Sequence, residues 1–212
     1  MDHLAVVVQG VQMTLLITVC SFAIGAVGGV PLALARRSRF AWLRLAARAV
    51  IEIVRGIPPL VWLFILYFGI GSGAIKLDPF TAAIIGFGVV TSAYLAEIYR
   101  GGLTAISDGQ WEAGDALGMS RTATLATVIG PQVLRVSIPA AATYAIGLLK
   151  DSSIASVIGV QDIVFFAGQD ATQTANGIVP FLWAAGLYIA MTIPCAWLTR
   201  RLDTTLRKRV AR

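Results

Sequence analysis

The residues best suited to chemistry form a short polar cluster in the second half of the chain. This polar cluster combines one ammonium and two carboxylates with hydroxyl and amide groups, and its members are Lys150, Asp151, Ser152, Ser153, Gln161 and Asp162. Such a set favours binding of a small ligand that carries both an ammonium and a carboxylate, because each ligand charge then has a partner of opposite sign. The alternative is that Lys150 and Asp151 only pair with each other.

The chain carries no residue set typical of catalysis or metal binding. It has no G-x-x-x-x-G-K-[ST] phosphate loop, no Ser/His/Asp set and no zinc-ligand spacing. The single histidine is His3, near the N-terminus, and Cys20 and Cys195 lie in different apolar segments without metal-ligand neighbours. We therefore expect no catalytic residue, no metal site, no cofactor on this chain and no disulfide.

Long apolar segments must position the polar cluster. The chain is 57% hydrophobic and 13% charged, with a mean hydropathy of +0.78. Uncharged runs cover residues 6–35, 56–75, 79–96 and 171–199, and a helix of about 20 apolar residues crosses the ~30 Å of a bilayer core. The sequence therefore predicts an all-α membrane protein with several spans.

The basic residues predict how the spans are oriented. Five arginines lie within residues 36–48, six basic residues lie within 200–212, and others flank residues 110–131. Because cytoplasmic loops are rich in Lys and Arg, all three regions are placed in the cytoplasm, which requires five spans with the N-terminus outside and the C-terminus inside. Residues 36–54 are predicted to form a basic amphipathic helix whose arginines face lipid headgroups. The predicted spans within the single domain, residues 1–212, are 11–35, 56–75, 79–97, 132–151 and 178–199.

The fourth span reaches charged residues before it has crossed the bilayer. Residues 136–149 form an uncharged run of only 14 residues, which a helix extends over about 21 Å. Lys150 and Asp151 are therefore expected in the outer half of the membrane or at its outer interface, where unpaired charges are costly. Residues 152–177 are predicted to be re-entrant or interfacial, because a sixth span would place the basic C-terminus outside.

A polar segment, residues 100–131, connects the third and fourth spans on the cytoplasmic side, and we name it the coupling segment. Residues 110–117 are compatible with a helix, and Asp108 and Glu112 stand near its start, where the helix dipole favours anions. Gly118 is suited to end that helix. Such a projecting helix can transmit force to a partner as a rigid lever.

The coupling segment resembles a motif of one transporter family. Its E-A-G start at Glu112, its Gly118 and its Pro131 follow the E-A-A-x3-G-x9-I-x-L-P loop of ABC-importer permeases. Three positions depart from that pattern, since Gly114, Val128 and Gly130 stand where the pattern has Ala, Ile and Leu. Further blocks resemble the polar amino-acid subfamily of these permeases, and they are residues 10–16, 33–38, 52–58, 67–69, 92–102 and 150–159.

The resemblance implies a type I ABC-importer permease with a MetI-like core in the bacterial cytoplasmic (inner) membrane. It implies four kinds of partner: an ATPase dimer that supplies ATP and Mg, a second permease subunit, an extracytoplasmic solute-binding protein and a polar amino-acid substrate. On this view the polar cluster lines the substrate pathway. The residues that couple the chain to the ATPase are then Gln110, Glu112, Ala113, Gly114, Asp115, Gly118 and Pro131.

Four charged residues near the inner ends of the spans are interpreted as gate or interface residues. They are Glu52, Arg55, Glu97 and Arg100, and the last two stand three residues apart, which allows an ion pair along one helix. Three other functions remain open: an ABC permease for a different solute such as an opine or an organic cation, a self-powered secondary transporter or channel, and a membrane-embedded enzyme.

Overall fold

The computed structural model describes residues 3–71 and 76–210, with side chains for 3–71 and 76–201. The end of the predicted second span, residues 72–75, lies outside the described residues. The described part is helical, without a strand, and two π-helical turns (Ile65–Ile70, Leu125–Ile129) and a 3-10 helix (Ser152–Ile158) interrupt it. The α-helices are α1 (His3–Val8), α2 (Val11–Ala35), α3 (Ala41–Gly56), α4 (Pro59–Phe64), α5 (Pro79–Thr104), α6 (Asp108–Ala116), α7 (Arg121–Thr124), α8 (Gly130–Asp151), α9 (Ile163–Thr174) and α10 (Val179–Val210).

Four segments of the described chain are long and apolar enough to cross a membrane. They are His3–Ala35, Pro79–Thr104, Arg121–Ile158 and Val179–Arg201. A fifth span is formed if α3 and the segment Pro59–Ile70 are counted together, although a 98° bend separates them. The chain is therefore a multi-pass helical membrane protein with four or five spans.

Helices α2 and α5 form the central pair of the fold. Small residues allow the two backbones to approach closely, as at the buried Gly25 of α2 opposite Thr91 of α5. Helix α3 covers the C-terminal half of α5, where Ile51 and Val54 pack with Ala93 and Ala96. The predicted first span coincides with α2, whereas α5 continues as a helix to Thr104, beyond the predicted span end at residue 97.

The segment after α8 lies inside the fold. Ala155 and Ile158 of the 3-10 helix are buried with Leu63 and Phe87 in a core between α2, α4 and α5. The chain then turns at Gly159, which has a left-handed φ of 94°. Helix α9 follows and packs with α1 and α10 around the buried Ile163 and Ala167. Residues 152–177, predicted to be re-entrant or interfacial, therefore form an internal 3-10 turn and a short packed helix.

Candidate functional site

Residues at both ends of helix α6 cap it. Ser107 caps its start, with its hydroxyl oxygen accepting a hydrogen bond from the Gly109 amide, and Asp108 lies in the first turn, where the helix dipole favours an anion. At the other end the Met119 amide donates to the Gly114 carbonyl at 3.0 Å, and Gly118 has a φ of 70°. The prediction that Gly118 ends this helix is confirmed.

One face of α6 anchors the helix to the rest of the protein. Trp111 packs on the cluster of Leu103, Ile129 and Val133, and the Arg37 guanidinium lies 5.5 Å from the centre of its ring. One turn later Gly114 is buried against Thr124 of α7. A Cβ atom at Gly114 would lie 2.6 Å from the Thr124 side chain, so only glycine fits this contact as it stands.

The opposite face of α6 is open. Glu112, Ala113 and Leu117 are exposed, and Leu117 has 78% of its surface accessible. A large exposed apolar side chain on a rigid, capped helix is suited to docking on another protein. Among the other predicted coupling residues, Gln110, Asp115, Gly118 and Pro131 are also exposed, and Gln110 accepts a hydrogen bond from Gln132 at 3.1 Å.

Sequence reasoning missed the residues that hold this helix in place. Trp111, Thr124 and Arg37 fix α6, and Leu117 dominates its open face. The tryptophan was the available signal, because a lone large aromatic residue in a polar helix needs an apolar surface to cover it.

The polar cluster divides into two parts in the structure. Lys150 and Asp151 end α8 and are exposed, and no ion pair within 4.0 Å joins them in the described chain. Ser152 is fully buried and donates to the Leu149 carbonyl at 2.8 Å. Gln161 is exposed and Ser153 is half-buried.

Asp162 is fully buried and has a structural role in the fold. Its carboxylate accepts a hydrogen bond from the Phe165 amide at 2.8 Å and so caps α9. Its second oxygen has no hydrogen-bond partner among the described residues, and the buried Tyr188 hydroxyl lies close by, near Thr14 and Ser153. Gly10 permits this packing, because a Cβ there would lie 2.2 Å from the backbone of Asp162.

An aromatic line of two tyrosine rings runs between Arg55 and the end of α8 that carries Asp151. Tyr144 stands two turns before Asp151 on α8, and its hydroxyl lies 3.2 Å from that of Thr91. The Tyr144 ring stacks on Tyr94 of α5 with centroids 5.1 Å apart. The Arg55 guanidinium lies 4.8 Å from the centre of the Tyr94 ring. The line therefore places one cation and one carboxylate at its two ends.

The other predicted gate residues form charge pairs near the C-terminal ends of α2, α3 and α5. Arg100 binds the Glu97 carboxylate at 2.9 Å, which confirms the ion pair expected from their spacing. Arg36, from the end of α2, approaches the other Glu97 oxygen at 3.6 Å. Glu52 pairs with Arg48 on the exposed side of α3 at 2.7 Å.

The described residues contain no group of three or more His, Cys, Asp or Glu side chains that could hold a metal ion. Both cysteines are free thiols.

His3 contacts Asp170 of α9 at 2.7 Å and so ties the N-terminal helix α1 to the fold.

Comparison with known proteins identifies the family. Residues 25–208 match the family model described as binding-protein-dependent transport system inner membrane component. The chain is 42% identical over 185 residues to the probable amino-acid ABC transporter permease protein YckA of Bacillus subtilis, covering 87% of this chain and 82% of YckA. It also matches a chain in the crystal structure of an amino acid ABC transporter with histidines, at a TM-score of 0.86 and 33% identity, covering 96% of this chain and 94% of that one.

A second solved structure shows the same fold at lower identity. It is the inward-facing MetNI methionine ABC transporter, with a TM-score of 0.81, 22% identity and coverage of 95% of this chain and 96% of that one. Members of the matched family are transmembrane permease subunits of ABC importers, in which a separate subunit hydrolyses ATP. This chain belongs to the family of binding-protein-dependent transport system inner membrane components.

Proposed function

We propose that this chain forms the transport pathway of a bacterial ABC importer for a polar amino acid. Two proteins similar to it in sequence and fold are a probable amino-acid ABC transporter permease and a chain of an amino acid ABC transporter, which supports this substrate class. The importer lies in the cytoplasmic membrane and the chain crosses it five times, with the N-terminus outside and the C-terminus inside. The arginines of residues 36–48 and the coupling segment then lie together on the cytoplasmic side.

The observation that carries the proposal is the open face of α6. Trp111 and Gly114 pack against the rest of the protein and hold the helix in place. Glu112, Ala113 and Leu117 are exposed on its other face. Each of two such helices docks on one subunit of an ATPase dimer, which binds the ATP and magnesium. Closure of that dimer moves the helices together, and α7 with the π-helical turn passes the movement to α8.

Substitution of Leu117 by Asp tests the docking surface. We expect the Leu117→Asp chain to fold, because Leu117 is 78% exposed, and to lose most of its affinity for the ATPase subunit, because a central apolar contact contributes about 2 kcal/mol or more. The affinity of the purified permease for the ATPase then falls about thirtyfold. ATP-driven uptake in proteoliposomes falls with it.

Thr122→Asp is the matched control, because it adds the same charge at an exposed position of the neighbouring α7. It should leave ATPase binding within about threefold, as surface substitutions away from a contact usually do. Unchanged ATPase binding by Leu117→Asp would contradict the docking role of α6.

We place the substrate pathway along the α5–α8 contact. Asp151 marks one end of its aromatic line and Arg55 the other, with the half-buried Tyr94 and Tyr144 between them. A second permease subunit, either a copy or a homologue, encloses the pathway together with this chain. Lys150 and Asp151 supply a cation and a carboxylate for an amino acid, which a solute-binding protein delivers to the outer loops around residues 76–78 and 175–178.

The pathway proposal is tested by Lys150→Gln and Asp151→Asn in the whole importer. Each removes one charged contact worth about 1.5–3 kcal/mol, so uptake of a labelled amino acid at low concentration falls about tenfold or more while ATPase binding is retained. Arg135→Gln is the control, because it removes an exposed charge nearer the other end of α8. Equal uptake by all three variants would exclude a substrate contact at Lys150 and Asp151.

A further inference from the structure

Helix α3 presents three different faces. Ala47, Ile51 and Val54 are buried against the fold, and a second face carries Arg44 and Arg48. The third face is apolar and exposed, and its side chains include Trp42, Leu45 and Ile53, which are 70%, 68% and 59% accessible. A helix with this pattern is suited to lie in a membrane interface.

A cationic pocket of about 650 Å³ opens beside the start of α3. The inner ends of α2 and α5 form its other walls. Five of its eight lining residues are arginines, and the full lining is Arg36, Arg37, Ala41, Arg44, Leu45, Arg48, Arg100 and Thr104. We name this pocket the arginine pocket.

The arginine pocket has more positive charge than the described side chains neutralise. Glu97 pairs with Arg36 and Arg100, and Glu52 pairs with Arg48. Two carboxylates against five guanidinium groups leave an excess of three positive charges. The negative ends of the α2 and α5 dipoles offset about half a charge each, so roughly two positive charges remain.

The two arginines without a carboxylate partner are held by neutral groups. Arg44 donates to the backbone carbonyls of Ser38 and Arg39 at 2.9 and 3.3 Å. Arg37 donates to the Leu103 carbonyl at 3.4 Å and lies over Trp111. These contacts position the guanidinium groups without neutralising them. An anion that enters the pocket therefore finds a preformed site.

The rim of the arginine pocket shows which kind of anion fits. Leu45 lines the pocket and also belongs to the exposed apolar face of α3. Trp42 lies one turn earlier, and the exposed Phe40 ring is 6.5 Å from it. Tryptophan rings concentrate at the headgroup level of membranes. A soluble anion contacts only the guanidinium groups, whereas a phospholipid contacts them with its phosphate and the apolar rim with its acyl chains.

We propose that the arginine pocket binds the phosphate group of an anionic phospholipid, whose acyl chains lie on the Trp42–Leu45 face of α3. The lipid joins the ends of α2 and α5 to α3 next to the Glu97 ion pairs. Only the assignment to the cytoplasmic leaflet rests on the proposed function, since that assignment uses the orientation of the importer.

Lipid binding to the whole purified importer tests this site, with native mass spectrometry as the readout. Dioleoyl-phosphatidylglycerol should bind more tightly than dioleoyl-phosphatidylcholine. Arg44→Gln with Arg48→Gln should weaken phosphatidylglycerol binding about thirtyfold, because each cation near an anionic lipid contributes about fivefold. Arg44→Lys with Arg48→Lys keeps the charge and should retain most of the binding.

Arg135→Gln with Arg200→Gln is the control, because these two exposed arginines lie outside the pocket lining and carry the same total charge. Equal binding of the two lipids, or an equal loss in the control, would overturn the proposal. Full displacement of the lipid by glycerol 3-phosphate would identify a soluble ligand instead. Binding to the isolated chain but not to the importer would mean that a partner protein covers the pocket. No outcome depends on transport, so failure of this site is distinguishable from failure of the proposed function.

Discussion

Single residues explain where the coupling segment departs from its family pattern. Gly114 replaces an alanine because Thr124 occupies the space that a Cβ would need. Gly130 replaces a leucine where a Cβ would lie 2.8 Å from the Leu125 carbonyl, at the end of the π-helical turn. At both positions, the close packing of α6, α7 and α8 therefore leaves no room for a Cβ.

The Gly114–Thr124 contact predicts that Gly114→Ala destabilises α6 in the native chain but not when Thr124 is shortened. Gly114→Ala should loosen α6, because overpacking costs about 1–3 kcal/mol, more than the ~1 kcal/mol that alanine gains in a helix. In a Thr124→Ala background the same substitution should become neutral or stabilising, since the remaining Cβ would lie 3.2 Å away. Amide hydrogen exchange of the α6 peptides in the two backgrounds measures both effects.

Gly101→Ala serves as the control for this experiment, because no atom lies within 4 Å of the added Cβ. It should leave exchange in α6 unchanged. If Gly114→Ala slowed exchange in the native background, the tight packing against Thr124 would be refuted.

At the scale of elements, the start of α5 depends on one carboxylate. The Thr81 hydroxyl donates to Asp78 at 2.6 Å and the Thr81 amide donates at 3.0 Å. These hydrogen bonds, the hydroxyl first, lower the pKa of the Asp78 side chain. A depressed pKa in the folded state means that the ionised cap stabilises the helix above the unfolded pKa of about 3.9 and loses this effect as the pH falls through the folded value.

We predict that Asp78→Ala weakens the first turn of α5 by about 1 kcal/mol near pH 7. Asp78→Asn should keep the cap, because asparagine caps as well as aspartate does, but should remove its pH dependence below pH 4. Hydrogen exchange of the amides in the first turn, compared at pH 7 and pH 3.5, separates the three proteins. An identical pH response of the native chain and Asp78→Asn would rule out the ionised cap.

Much of the order of the helices can be predicted from the sequence, because long apolar runs predict membrane spans and basic residues predict their cytoplasmic ends. The first predicted span matches α2, and Gly118 ends α6 as expected. The polar cluster was less readable. In the sequence, Asp162 and Lys150 belong to one polar cluster. In the structure the chain turns at Gly159, so Asp162 is buried and caps α9, while Lys150 is exposed. The pocket of five arginines also escapes sequence reasoning, since its walls come from three helices.

At the scale of the whole molecule, the bend between α3 and α4 decides the topology. If α3 and Pro59–Ile70 together cross the membrane, the chain has five spans and the two ends of α5 lie outside and inside. If they do not cross, α5 begins on the same side as the end of α2, and α6 projects to the outer side when the N-terminus lies outside. With the N-terminus outside, only the first arrangement lets an ATPase in the cytoplasm meet α6.

Cysteine labelling distinguishes the two arrangements. In a Cys20→Ser, Cys195→Ser background, we expect Lys76→Cys, just before α5, to react with a membrane-impermeant maleimide in intact cells. Leu117→Cys should react only after permeabilisation, because α6 then lies in the cytoplasm. Both positions are exposed in the single chain, and the cells produce the permease without its ATPase, which would otherwise cover Leu117. Reaction of Leu117→Cys in intact cells, with Lys76→Cys protected, would place α6 outside the cell and would exclude docking of a cytoplasmic ATPase on α6.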